Sequence, residues 1–227
     1  AATVLIDTGP DPAALRQCLD RLQVRRIDLL VLTHPHRDHT GGRAALTGGR
    51  TPQQQWICPL PEAARQTVPR APTTVATTGR TWQRPGLSLR VLWPGSAEDA
   101  HRTSAAEHGA GEGDAANDCS IVIEALWEDG TRLVSLGDLE PAAQQELAAL
   151  DPGPADIVKV AHHGSRFQHA PLYRQLEPDL ALVPAGRDNE FGHPTEDALT
   201  LLRETRAGVL RSDVHGTVVL PADDAAA

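Results

Sequence analysis

Among its 227 residues the chain has no methionine, one tyrosine, two phenylalanines and one lysine, Lys159. Its three cysteines, Cys18, Cys58 and Cys119, are widely spaced and form no Cys-x-x-Cys pair, which argues against a disulfide framework and against a structural zinc site. No apolar run approaches the roughly 20 residues that a bilayer-crossing helix needs. The chain is therefore expected to be soluble whatever it is attached to, with any signal or membrane segment lying outside it. The missing methionine, and the abrupt opening at Ala1-Ala2-Thr3, suggest a piece excised from a longer protein. A basic stripe is lacking too. The formal charge is −9, and the positive charge is all arginine apart from Lys159. Such a balance repels a polyanion at long range, so affinity for bare DNA is expected to be weak. The arginine usage, with the Ala, Pro and Gly richness, points first to a GC-rich genome, although guanidinium groups also suit phosphate. The length suits one substantial core, and a single domain over 1–227 is expected.

What the chain does have is a dense group of ligand atoms. His34, His36, Asp38 and His39 fall within Leu32-Thr33-His34-Pro35-His36-Arg37-Asp38-His39-Thr40-Gly41-Gly42, directly after the apolar run 27–32. Neutral imidazole with carboxylate suits zinc, iron or manganese. The apolar run reads as a buried strand. An extended segment places His34 and His36 on one side, and a helical turn from Asp38 sends Asp38 and His39 to a second position, so one loop could serve two metals. Gly41 and Gly42 are expected to let the backbone pass close to the ions. A solvated His-rich turn is the alternative, and it does not explain an Asp-His pair closing a strand.

Strands and helices alternate along the chain. Asp11-Pro12 starts a capped helix, in which Leu15, Cys18, Leu19 and Leu22 form a buried stripe. Segment 87–93 alternates as a strand, and 96–116, without apolar periodicity, reads as a long exposed loop carrying His101 and His108. Segments 121–127 and 132–136 form a hairpin around Glu128-Asp129-Gly130 that delivers Asp138. Helices follow over 141–150, 171–176 and 196–206, with strands over 157–161 and 180–183. His169 reads as a helix-start residue and His215 as a turn residue. This pattern fits two facing sheets with helices outside.

The His34 to His39 segment resembles the HxHxDH signature of the metallo-β-lactamase superfamily. Later motifs follow in the same order. Leu5-Ile6-Asp7-Thr8-Gly9 ends a strand where the superfamily keeps an aspartate supporting the ligands, and Gly137-Asp138 ends another where it places a metal-bridging carboxylate. Asn117-Asp118-Cys119-Ser120, Lys159-Val160-Ala161-His162-His163-Gly164-Ser165 and Phe191-Gly192-His193-Pro194 resemble more narrowly the C-terminal domain of the ComEC family of DNA-uptake channel proteins, from Asp7 to about Gly216. The resemblance implies an α/β, αββα sandwich lacking its first strands. It also implies a metal-dependent nuclease that degrades the DNA strand not taken up during competence. Its partners would be single-stranded DNA and the rest of the channel protein, on the outer side of the bacterial cell membrane.

On this reading two divalent cations take part, manganese first, with zinc or magnesium as alternatives. His34 and His36 hold one, Asp38, His39 and His193 hold the other, Asp138 bridges them and with Asp38 keeps the attacking hydroxide in place as a catalytic residue, and Asp7 supports the ligands from behind. The superfamily's third histidine for the first metal has no clear counterpart. Asn117 is nearest in order, and its carbonyl oxygen favours harder cations. His108 is a less favoured substitute. His162 or His163 is expected to protonate the leaving oxygen, while Lys159, Ser165 and Asn117 contact substrate, Lys159 alternatively pairing with a buried carboxylate. An ester, thioester or nucleotide phosphodiester hydrolase on the same fold, or a noncatalytic DNA-guiding module, are the rival functions.

Overall fold

The computed structural model describes residues 2–106 and 114–221. The first half supplies a small sheet. Strand β1 (Val4–Ile6) leads through helix α1 (Pro12–Arg21) to β2 (Leu29–Leu32), and the short helix α2 (Arg37–Thr40) carries the chain on to β3 (Gln55–Ile57) and β4 (Thr73–Val75). The four strands lie in the order β1-β2-β3-β4, all parallel. All four residues of β2 are buried, which is why it reads as a continuous apolar run and not as an alternation.

The rest builds a larger sheet. Its elements are β5 (Thr81–Arg84), β6 (Leu87–Trp93), α3 (Ala97–Ala106), α4 (Ala115–Asp118), β7 (Val122–Trp127), β8 (Arg132–Ser135), α5 (Pro141–Ala149), β9 (Ile157–Lys159), α6 (Ala170–Leu176), β10 (Leu180–Val183), α7 (Glu196–Glu204), β11 (Gly208–Arg211) and α8 (Ser212–His215). The sheet runs β11-β10-β9-β8-β7-β6-β5, antiparallel from β5 to β8 and parallel from β8 to β11. Two cores result. Leu30, Trp56, Trp82, Val91 and Ile123 pack between the sheets, and Val134, Val158 and Ala181 pack with Leu147, Leu172, Tyr173 and Leu202 of α5, α6 and α7. This is the expected α/β sandwich of two sheets with helices outside.

Three local expectations need correction. In α1 the Asp11 carboxylate accepts from the Ala13 N–H at 2.8 Å, as a cap should, but the buried stripe is narrower than expected. Leu19 is buried, whereas Leu22 lies past the last helical residue and is exposed. Segment 96–116 is not a loop throughout, because α3 occupies Ala97–Ala106. Its buried residues include Ala100 and Thr103, too small or too polar to give an apolar period. The Ser-x-x-Asp spacing of Ser96 and Asp99, in which the Ser96 hydroxyl accepts the Asp99 N–H and donates to its carboxylate, was the legible signal of a helix. His101 is exposed on that helix, and His108 lies outside the described residues.

Gly41 and Gly42 do their work against backbone, not against ions. A Cβ on Gly42 would lie 2.2 Å from the Thr8 carbonyl oxygen, and one on Gly41 2.5 Å from that of Pro10. The Gly42 N–H donates to Gly9 O at 2.7 Å, while Thr8 donates through both N–H and hydroxyl to the His39 carbonyl. This close approach locks the His-rich loop to the end of β1. Gly42→Ala should therefore lower stability by about 1–3 kcal/mol, read from a urea midpoint. An unchanged midpoint would mean that residues 8–10 yield freely.

Candidate metal centre

The ligand-bearing residues all follow strand ends: Asp7 after β1, His34 to His39 after β2, Asp138 after β8, His162 and His163 after β9. Backbone bonds hold these ends together, with Ile121 N donating to Thr33 O and His162 N to Gly137 O. The carboxyl ends of parallel strands are where open α/β sheets place ligands. Asp7, His162 and His163 have φ of 59°, 44° and 52°. Such left-handed conformations in non-glycine residues cost about 1–3 kcal/mol each and collect at functional sites.

Among the described residues, one group of three or more metal-ligating side chains converges. It comprises Asp38, His39, Asp138 and His163, whose ligand atoms all lie within 4.8 Å of one another. His163 Nε2 is 3.1 Å from Asp138 Oδ2, 3.3 Å from Asp38 Oδ2 and 3.2 Å from His39 Nε2. His39 Nε2 is 3.1 Å from Asp138 Oδ2. The far nitrogen of each ring is engaged elsewhere. His39 Nδ1 donates to Asp7 at 2.8 Å, and His163 Nδ1 donates to the Pro184 carbonyl at 2.7 Å. Those bonds leave both Nε2 lone pairs aimed at one point, as a metal-binding histidine requires. Asp7 is itself fixed by the N–H and hydroxyl of Thr33.

His34 and His36 make a second, smaller convergence. His34 Nε2 faces His36 Nδ1 at 3.1 Å. His34 Nδ1 lies 3.1 Å from the Thr33 hydroxyl and 3.2 Å from that of Ser120, and His36 Nε2 lies 2.9 Å from Asp114. Again the outer nitrogens are occupied and the inner ones face each other, which suits a shared cation. Ser120 Oγ also accepts the Asp138 N–H at 2.9 Å, so one hydroxyl ties the two positions together. Both donor sets fit divalent cations of the imidazole and carboxylate class.

Several sequence-based roles are redistributed. His193, expected as a ligand, stands outside the cluster with its ring 5.5 Å from that of His162, and His163 occupies the expected place. The turn through His162 and His163 is left-handed at both residues, so strand alternation could not indicate which ring faces inward. Lys159 reaches Gly137 O at 2.6 Å and Asp138 Oδ1 at 3.2 Å, the alternative pairing with a buried carboxylate. With Oδ1 held there, Oδ2 is the atom that Asp138 would offer to a cation. Ser165 is 1 % exposed and its N–H donates to His162 O, so it is closed to substrate. Asn117 is 2 % exposed, and its amide N–H donates to Glu140 at 3.1 Å while Oδ1 has no donor among the described residues. His162 Nδ1 lies 2.8 Å from the fully buried Glu140. Asp114, Glu140 and the Pro184 carbonyl carry no motif signal of their own, and Ser120, although part of the Asn117-Asp118-Cys119-Ser120 motif, was not foreseen in this role.

The electrostatics follow from this crowding. Burial by itself would raise Asp138, yet Lys159, His39 and His163 hold its carboxyl well below the usual range. Asp38 is raised by burial but lowered more strongly by His163 and His39. Burial disfavours charge on His39, but Asp138 and Asp7 hold it well above the imidazole range. His163, likewise opposed by burial, is lifted by Asp138 and Asp38 to about 9. Burial and the neighbouring His39 push His34 well down, leaving it neutral. Without a cation, protons offset the carboxylate charge. The protonated His163 stabilises the metal-free fold fully below about pH 6.5, and that contribution is lost as pH rises through about 9. A cation must displace this proton. Its affinity should climb with pH over that window by up to about tenfold per unit for each proton displaced. Manganese titrations at several pH values test this, and a flat affinity would contradict it.

A family profile described as "Beta-lactamase superfamily domain" matches residues 2–210. The chain is 28 % identical over 207 residues to ComE operon protein 3 of Bacillus subtilis, which covers 86 % of the chain and 24 % of that protein. It is 28 % identical over 223 residues to Recombination protein 2 of Haemophilus influenzae (95 % and 26 %), and 26 % identical over 224 residues to Competence protein ComA of Neisseria gonorrhoeae (95 % and 28 %). The chain thus spans about a quarter of the length of these relatives. Among solved structures, a metallo-β-lactamase from Cronobacter sakazakii superposes with a TM-score of 0.51 at 19 % identity, covering 76 % of this chain and 79 % of that one. The metallo-β-lactamase fold protein YhfI from Bacillus subtilis gives 0.56 at 11 %, covering 92 % and 83 %. The shared fold and the converging His/Asp cluster support a metal-dependent hydrolase. With a profile matched over nearly its whole length, the chain belongs to the beta-lactamase superfamily.

Proposed function

We propose that this chain is one domain of a longer competence protein and acts as a metal-dependent nuclease, hydrolysing phosphodiester bonds in the DNA strand that is not taken up. The convergence of Asp38, His39, Asp138 and His163 on one point carries the hydrolase part of this reading. The DNA part rests on the similarity to relatives named for competence and recombination. No helix among the described residues is long and apolar enough to cross a membrane, and we assign the domain to the outer side of the cell membrane, beside the channel of its parent protein.

Divalent cations bound here, manganese by preference, would lower the pKa of an attacking water and offset charge on the phosphate. The protein's own residues do the rest. Asp38, with its side chain 53 % exposed, opens the cluster to substrate, while Asp138 and His39 close it from behind. Lys159 keeps Asp138 ionised and oriented. His162, held at Nδ1 against Glu140, would deliver a proton to the leaving oxygen through its other ring nitrogen. The net charge of −9 leaves affinity for the polyanion dependent on bound cations.

Purified protein should degrade labelled single-stranded DNA with manganese, and lose that activity with chelator and in Asp38→Ala. Hydrolysis of a generic aryl ester, with DNA untouched, would assign the chain to small-substrate chemistry instead.

A further inference from the structure

A series of ring contacts leads from the cluster to solvent. The rings of His39 and His163 are 5.2 Å apart, those of His163 and His162 6.2 Å, and those of His162 and His193 5.5 Å. Phe191 then stacks on His193, with centroids 5.9 Å apart and planes inclined by 27°. Phe191 is 78 % exposed, in a chain with only two phenylalanines. Singly exposed apolar residues are ordinary, but this one is a ring stacked on the last member of a series that leads to the cluster. The loop beneath the ring is held in place. Asn189 Oδ1 accepts the His193 N–H at 2.9 Å, and its Nδ2 donates to His193 O at 2.6 Å and to Gly186 O at 2.7 Å, so one side chain closes the loop that carries Phe191.

Charge does not explain this loop. Asp188 and Glu190 outnumber Arg187, and all three are exposed. A polyanion gains nothing from that balance, whereas a π face attracts any nucleobase whatever the local charge. We propose that Phe191 is a stacking platform for one nucleobase of the strand whose phosphodiester lies at the Asp38, His39, Asp138 and His163 cluster. The proposal rests on the nuclease reading and specifies its substrate, a strand with unpaired bases. Bases inside a duplex are stacked on their neighbours and unavailable to the ring, so single strands are selected at this position.

The test compares wild type, Phe191→Ala and Phe191→Trp, using a short labelled oligothymidylate and an abasic strand of equal length. Binding is followed by fluorescence anisotropy in calcium, and cleavage in manganese. Wild type should prefer oligothymidylate to the abasic strand. Phe191→Ala should weaken oligothymidylate binding by about five- to a hundredfold, with the kinetic loss falling on KM and the preference over the abasic strand disappearing. Phe191→Trp should restore it. Equal binding and cleavage by wild type and Phe191→Ala would overturn the platform while leaving the nuclease standing. Loss of binding in Phe191→Ala, with no cleavage by any form, would keep the platform and reject the nuclease. A wild type that binds both strands alike would reject base stacking.

Discussion

Asp138→Asn should fold, retain a partner for Lys159 and lose metal-dependent hydrolysis, with metal affinity falling by more than about a hundredfold, beyond the upper end of what a supporting partner alone contributes. Asp138 is 2 % exposed and has a separate structural duty, because its Oδ1 holds the Lys159 ammonium while Oδ2 faces His39 and His163. Asp138→Ala removes both. It leaves a largely buried cation with, among the described residues, only the Gly137 carbonyl, and breaking a buried pair from one side costs about 3–5 kcal/mol. Adding Lys159→Met to Asp138→Ala should recover much of the unfolding free energy in urea and none of the metal binding. If the double variant regains metal, the two duties of Asp138 have been wrongly separated. Retained turnover in Asp138→Asn would remove this carboxylate from the mechanism.

His163→Ala should lower metal affinity far more than His193→Ala, by more than about a hundredfold against less than about tenfold, the lower end of a supporting effect. The order reverses what the sequence suggested. Gly192-His193-Pro194 follows a strand, as a ligand should, yet the ring of His193 lies against His162 and Phe191, and burial with the neighbouring His162 and His163 lowers its pKa. His163 has the fixed Nδ1 and the inward Nε2. Calorimetric titration with manganese reads both variants. A greater loss in His193→Ala would return His193 to the ligand set.

This reversal marks the boundary of what the sequence makes legible. The run 27–32 and the HxHxDH loop after it were readable because a buried parallel strand is continuously apolar and its end is where ligands sit. Asp11, the 121–136 hairpin and helices α5, α6 and α7 were likewise readable from caps, turn residues and periodicity, whereas the short helices α4 and α8 were not. Side-chain direction at His162 and His163 was not, since two consecutive left-handed residues break any period. Helix α3 escaped because it buries alanine and threonine instead of large apolar residues. Ser120, Glu140 and Pro184 act through tertiary contacts, and Asp114, which caps α4, meets His36 in the same way. Ser120 meets a histidine 86 positions away, a contact that its place in the Asn117-Asp118-Cys119-Ser120 motif does not specify.

The most direct test strips the protein with chelator, adds manganese back in steps, and measures bound metal and cleavage of labelled single-stranded DNA in the same samples. Cleavage should rise in proportion to occupancy, and both should be absent in a His39→Ala, His163→Ala double variant whose fold is checked by circular dichroism. Cleavage by the stripped protein, or undiminished cleavage in the double variant, would contradict a hydrolytic metal centre at these residues.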